Sequence, residues 1–217
     1  MIKIKSEVKE CDVLVVGGGM AGLMAAIAAA DGGAKVIVCD KTNTLRSGSG
    51  ATGNDHFTCY LHDSLHKNMT IDDWLIEFDQ SQVGGYSDPT IQRVFGLRTF
   101  EVVKDWDKWG IDMKPSGTWE CLGHSFPGRP RIWLKYNGFN QKAILTAEAK
   151  KRKVVIENHS PVTEYLKDDT GKICGVIAID ISELEPMIKL YKAKAVISAT
   201  GNTNRLYSPI TGGMMFN

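Results

Sequence analysis

Asp12-Val-Leu-Val-Val-Gly-Gly-Gly-Met-Ala-Gly22, followed by Leu23 to Ala30 and then Ala34-Lys-Val-Ile-Val-Cys39-Asp40, is the stretch that decides the fold. Asp12 to Val16 is short and β-branched, the composition of a buried strand. Leu23 to Ala30 is rich in alanine, leucine and methionine, all good helix formers. Asp31-Gly32-Gly33 ends that helix. Ala34 to Cys39 reads as a second strand, with Asp40 at its end. The order is strand, glycine turn, helix, strand, acid.

Each residue type in this unit has a physical task. Gly17 permits a tight turn out of the strand. Gly19 lets a diphosphate approach the backbone, and Gly22 lets the helix pack close to the sheet. Met20 and Ala21 begin a helix whose first N–H groups and dipole favour an anion. Asp40 stands 18 residues beyond Gly22, near the spacing of a carboxylate that accepts hydrogen bonds from a ribose diol. Such an acid suits a free 2′-hydroxyl and repels a 2′-phosphate.

Composition narrows the class. The chain has 217 residues, with 26 Lys+Arg against 25 Asp+Glu, a net charge of +1. That balance excludes a broad electrostatic grip on nucleic acid. The five cysteines (11, 39, 59, 121 and 174) form no CxxC pair, so neither a disulfide framework nor a metal site is expected, and a reducing cytoplasm fits free thiols. Val13 to Ala30 is an uncharged run of 18 residues that a hydropathy scan would flag as a membrane span. Its glycines fall where a strand turns into a helix, and the acids before it do not make a basic leader. No membrane insertion is expected.

The rest of the chain departs from a nicotinamide domain. Lys41 to Gly53 is a polar, glycine-rich loop. Ile71 to Phe78 and Thr90 to Trp109 have helical spacing, with Asp88-Pro89 as a start signal and Gly110 as a cap. Pro115 to Gly138 is irregular. Gln141 to Arg152 reads as a helix and Lys153 to Glu157 as a strand. Val162 to Leu166, Ile173 to Ile179 and Met187 to Tyr191 read as a small antiparallel meander. Ala193 to Gly201 is a strand entering another glycine turn. The fold class is therefore α/β: a Rossmann-like FAD/NAD(P)-binding domain with a parallel sheet, a helical insert and a β-meander. Residues 1–60 would carry the βαβ unit and the glycine-rich loop, 61–140 the insert, and 141–217 the return helix, meander and closing strand.

This layout resembles the FAD-binding domain of two-dinucleotide-fold flavoproteins, and more narrowly the fumarate reductase, succinate dehydrogenase and aspartate oxidase family. The likeness rests on Val15 to Leu23, Asp40-Lys41, Arg46-Ser47-Gly48 with Ala51-Thr52-Gly53, and Lys194 to Gly201. Asp107 to Ile111, Asn137-Gly138 and Leu184-Glu185-Pro186 are similar to the adenylylsulfate reductase branch. The resemblance implies FAD as cofactor. It places the diphosphate on Gly17 to Gly22, the adenosine ribose at Asp40 and Lys41, and the flavin side along Arg46, Ser47, Gly48, Ser49 and Gly53, with Asn54 and Asp55 beyond. It puts Val162 near the adenine and Ala199-Thr200-Gly201 over the cofactor. Covalent members carry a histidine where this chain has Gly48, which implies non-covalent FAD. The resemblance further implies a dicarboxylate or sulfur-oxyanion substrate and, for partner, an iron–sulfur subunit or second flavoprotein chain. It places the capping domain and the proton donor after Asn217, so no catalytic residue is assigned. An NAD-dependent dehydrogenase, and a split FAD-binding chain that works only with a partner, share the fingerprint.

Several other residues invite two readings. His62 and His66, four apart, are spaced for a metal or for a polar surface. His124 lies in a Gly-His-Ser segment that approaches the flavin in relatives, or in an ordinary loop. Arg129 and Arg131 suit an anionic substrate or a solvated loop. Trp106 and Trp109 are expected to seal the insert against the sheet.

Overall fold

The computed structural model describes residues 5–51, 53–80, 88–123 and 127–202. The chain divides into two units, Met1–Thr52 with Gln141–Asn217, and Gly53–Asn140.

The first unit is built on one six-stranded sheet. Strand β1 (Lys5–Val16) runs into the glycine turn, and helix α1 (Met20–Asp31) returns the chain to β2 (Val36–Cys39). Helix α4 (Gln141–Lys151), which follows the second unit, leads to β6 (Val155–Glu157). The strands β7 (Val162–Lys167), β8 (Ile173–Asp180) and β9 (Met187–Ser198) complete the sheet in the order β6-β2-β1-β9-β8-β7. The first four are parallel and the last three antiparallel. The uncharged run from Val13 to Ala30 is thus split between a buried strand, a turn and a twelve-residue helix. Among the described residues no helix is long and apolar enough to cross a membrane.

The meander is not a separate layer. Met187–Ser198 is one continuous strand, paired antiparallel to β8 on one side and parallel to β1 on the other from Lys5↔Met187 to Val16↔Ser198. β1 likewise starts at Lys5 rather than Asp12. Its first half, Lys5-Ser-Glu-Val-Lys-Glu10, is mostly charged and exposed, so hydrophobicity does not mark it. Pairing with β9 satisfies its backbone instead. One face of the sheet buries Leu14, Val16, Ile37, Cys39, Val176 and Tyr191 in a single cluster. Helix α1, with Leu23, Ala26 and Ile27 buried, packs on β1, β2 and α4.

The second unit holds two helices and a small antiparallel sheet. Helix α2 (Ile71–Phe78) starts at a capping box between Thr70 and Asp73. Helix α3 (Pro89–Trp109) starts at Asp88, whose carboxylate accepts from the Thr90 N–H, and stops at Gly110 with φ +95°. The sheet pairs β5 (Trp133–Lys135) with β3 (His56–Thr58) and β4 (Cys121–Leu122). Strands of two or three residues carry too little alternation to be read in advance, which is why this stretch passes for irregular chain. Trp74 is fully buried with Tyr60 and Ile132, and its indole N–H donates to the Cys59 carbonyl at 3.3 Å. Trp106 packs edge-on against Phe57 and near Tyr136, on the small sheet of its own unit, while Trp109 is half-buried.

Candidate functional site

Val16, Cys39 and Ser198 end three neighbouring parallel strands at the same level. The chain leaves β1 towards β2 on one side, and β9 arrives on the other. That change of direction is where open α/β sheets form a ligand crevice. The crevice here has a volume of about 550 Å³. Gly17, Gly19, Met20 and Ala21 line it from the turn, Asp40 and Lys41 from the end of β2, and Ser47, Gly48 and Ser49 from the following loop. Val162 and Ala199, Thr200 and Gly201 complete it from the opposite side.

The three fingerprint glycines have different reasons to be glycine. Gly17 has φ +101°, and a Cβ there would lie 2.4 Å from the Ala199 carbonyl oxygen. A Cβ on Gly22 would lie 1.9 Å from the Gly17 oxygen. Both are demanded by the protein itself. At Gly19 the nearest atom to such a Cβ is the Gly48 Cα, 3.9 Å away, and the conformation is φ −66°. Protein sterics do not exclude a side chain at Gly19. What one would fill is the crevice at the N-terminus of α1, where the cap has no side-chain hydrogen bond and the first turn carries no acid.

Asp40 lines the crevice but is 3% exposed and already engaged. Its Oδ2 accepts from the Gly18 N–H at 2.6 Å, and its Oδ1 accepts from the Thr42 N–H at 2.8 Å and the Thr42 hydroxyl at 3.2 Å. A carboxylate has about four acceptor positions, so roughly one is left. Cys39 also lines the crevice, and burial pushes its thiol up to about 12, which keeps it protonated and inert.

Ser47 is buried, and its hydroxyl donates to the Gly18 carbonyl at 3.2 Å. Gly48 has φ +77°. Arg46 is exposed, with its backbone N–H on the Asn43 carbonyl, and is not among the crevice residues. Gly53, Asn54 and Asp55 belong to the second unit. There the Asn54 carbonyl accepts from Gly138 N–H and the Asp55 carbonyl from Tyr136 N–H, while the Asp55 carboxylate meets His56 at 2.6 Å.

Sequence reasoning missed Lys142 and gave Gly18 and Gly50 no task of their own within the turn and the loop. A Cβ on Gly18 would lie 2.5 Å from Thr44 Cγ2, and one on Gly50 would lie 2.6 Å from the Met20 sulfur. Lys142, at the start of α4, is 3% exposed and its ammonium donates to the Gly18 carbonyl. Burial lowers it to about 8, with the Asp40 charge acting in the opposite direction. No local pattern marks it, because its partner is 124 residues away in the chain.

Two of the residues read in two ways from sequence, His66 and Arg129, are engaged by the protein itself. His66 is 4% exposed; its Nδ1 accepts from the Leu61 N–H at 3.0 Å and its Nε2 lies 2.9 Å from the Arg131 carbonyl oxygen. Arg129 pairs with the buried carboxylate of Glu77. His124 lies outside the described residues.

Residues 12–216 match the FAD binding domain family, and the chain belongs to it, so FAD is its cofactor. It is 29% identical over 195 residues to a fumarate reductase (cytochrome) of Shewanella frigidimarina, covering 88% of this chain and 33% of that protein. It is 25% identical over 226 residues to a fumarate reductase (CoM/CoB) subunit of Methanothermobacter marburgensis, covering 98% and 38%. Among solved structures, adenylylsulfate reductase of Archaeoglobus fulgidus superimposes with a TM-score of 0.78 at 26% identity, over 98% of this chain and 33% of that one. The chain spans about a third of the length of the relatives it matches.

Proposed function

We propose that this chain is the FAD-binding part of a flavoprotein oxidoreductase that passes electrons between a small substrate and a redox partner. The substrate class is a dicarboxylate or a sulfur oxyanion. Relatives named as fumarate reductases and as adenylylsulfate reductase support that choice. The partner is a separate iron–sulfur subunit or second flavoprotein chain; the Methanothermobacter relative is by name one subunit of its enzyme. All five cysteines are free, which supports a reducing cytoplasm.

The observation that carries the reading is Gly19. Its missing side chain leaves room in the crevice where α1 opens, and a diphosphate suits that room. Gly17, Met20, Ala21 and Gly22 would hold the diphosphate through backbone N–H groups. Asp40 would accept one ribose hydroxyl with its remaining lone pair, beside Lys41. Val162 would meet the adenine. Arg46, Ser47, Gly48, Ser49, Gly53, Asn54 and Asp55 would follow the flavin side, and Ala199, Thr200 and Gly201 would close over it.

When bound, FAD supplies the two-electron chemistry at its isoalloxazine ring. The chain supplies position, a positive helix terminus and the exclusion of water. Gly48 offers no side chain to tether the ring, which supports non-covalent binding.

Purified protein tests this directly. Yellow protein that reduces fumarate or oxidises succinate or sulfite with an artificial electron carrier supports the proposal. Colourless protein that takes up NADH but not FAD overturns it in favour of the dehydrogenase reading. Yellow protein whose flavin is neither reduced nor reoxidised by any of the three substrates, even when the parts that complete the enzyme are supplied, overturns the oxidoreductase assignment.

A further inference from the structure

Gly18 is held by side chains at both its polar groups. Its N–H donates to Asp40 Oδ2 at 2.6 Å. Its carbonyl accepts from the Lys142 ammonium and, at 3.2 Å, from the Ser47 hydroxyl. In a trans peptide the carbonyl and the following N–H point in opposite directions. Drawing the Gly18 oxygen towards Lys142 and Ser47 therefore turns the Gly19 N–H the other way, and Gly19 lines the crevice.

Burying an ammonium is costly, and Ser47 already supplies a neutral donor to the same oxygen. A second donor that carries a charge asks for a further reason. An anion bound on the crevice side of the turn supplies one, because it offsets the desolvation of a cation on the other side.

We propose that Lys142 is a positioning residue for the diphosphate of FAD: its ammonium clamps the Gly18 carbonyl, aims the Gly19 N–H into the crevice and sets a positive charge behind the turn. This rests on the assignment of the Gly17 to Gly22 turn to the diphosphate.

The electrostatics around Lys142 support the idea. Asp40 is the carboxylate acting on it, and burial lowers it to about 8. The first turn of α1 carries no acid, Lys41 and Arg46 are exposed, and Glu148 further along α4 is engaged by Lys151 and Arg152. A bound anion favours the protonated amine. At pH 7 and below the lysine is charged with or without FAD, and affinity is flat. Above pH 8 the empty protein loses a proton that the loaded protein keeps, so affinity falls as pH rises.

The test is FAD titration of the full apoprotein, followed by flavin fluorescence, at pH 7, 8 and 9. For the wild-type chain the Kd should rise up to about tenfold between pH 7 and 9, up to about fivefold of it above pH 8. Lys142→Met should weaken binding about tenfold or more at pH 7 and remove the pH dependence. Lys142→Arg should recover most of the pH 7 affinity and also show a flat profile. A wild-type Kd unchanged from pH 7 to 9, or a folded Lys142→Met protein that binds within twofold of wild type at pH 7, overturns the inference. If Lys142→Met does not fold, the wild-type and Lys142→Arg profiles decide. Failure of the wild-type chain to bind FAD at all would instead overturn the reading on which this rests.

Discussion

Gly22 lies so close to Gly17 that a Cβ on the first would come within 1.9 Å of the carbonyl oxygen of the second. The oxygen belongs to the turn and the Cα to the helix, so neither can give way without moving β1 against α1. Gly22→Ala is therefore expected to cost about 2–3 kcal/mol by forced repacking, read as a lower urea midpoint. Gly19→Ala has space and an ordinary φ, and should cost less than about 1 kcal/mol while weakening FAD binding at least about tenfold. Equal stability losses in the two variants would contradict this division of roles.

A second set of contacts ties the sheet together across four strands. Lys189 of β9 is buried and lies 2.6 Å from both Glu157 of β6 and Asp180 of β8, and Lys9 of β1 meets Glu157 at 2.6 Å. Lys189→Met would leave two carboxylates without their shared cation, at a cost of about 3 kcal/mol near neutral pH. Burial acts upward on Asp180, but its hydrogen bonds from Lys189 and Ser182 outweigh this and hold it at about 2. A depressed carboxylate stabilises the fold above its unfolded value near 3.8 and loses that contribution as pH falls towards 2. Urea titrations at pH 7, 4.5 and 3 should show the gap between wild type and Lys189→Met narrowing only in acid.

His66 gives the second unit its own pH response. Burial lowers its pKa, opposed by the contact with the Arg131 carbonyl. Its Nδ1 accepts from the Leu61 N–H, so protonation there removes a hydrogen bond. The unfolded chain takes the proton more readily, and stability falls as pH drops below about 6.5. The urea midpoint of the wild-type protein should be lower at pH 5.5 than at pH 7.5. His66→Gln should be about 1–2 kcal/mol less stable at pH 7.5 and lose most of that pH sensitivity.

Flavin attachment is the simplest measurement. With glycine at position 48, acid precipitation should leave a colourless pellet and all of the flavin in the supernatant. Flavin retained on the denatured polypeptide would point to a tether elsewhere in the chain.

How much was legible in advance depended on how local each signal was. The strand from Asp12, the glycine turn, α1 and Asp40 are written in consecutive residues, and so are the caps of α3 at Asp88, Pro89 and Gly110. The continuity of β9 was not, because Lys5 to Glu10 is charged and exposed and becomes a strand only beside Met187 to Lys192. The two- and three-residue strands at Cys121 and Trp133 fall below the length at which alternation has meaning.

The amino-acid sequence alone determined that a glycine turn joins a strand to a helix, since glycine spacing and strand chemistry are properties of neighbouring residues. Only the tertiary structure decided that Asp40 spends most of its lone pairs on Gly18 and Thr42, and that Lys142 is buried behind the same glycine. A hydrogen bond between residues 124 apart depends on how α4 packs against α1, and packing leaves no periodic mark on the chain.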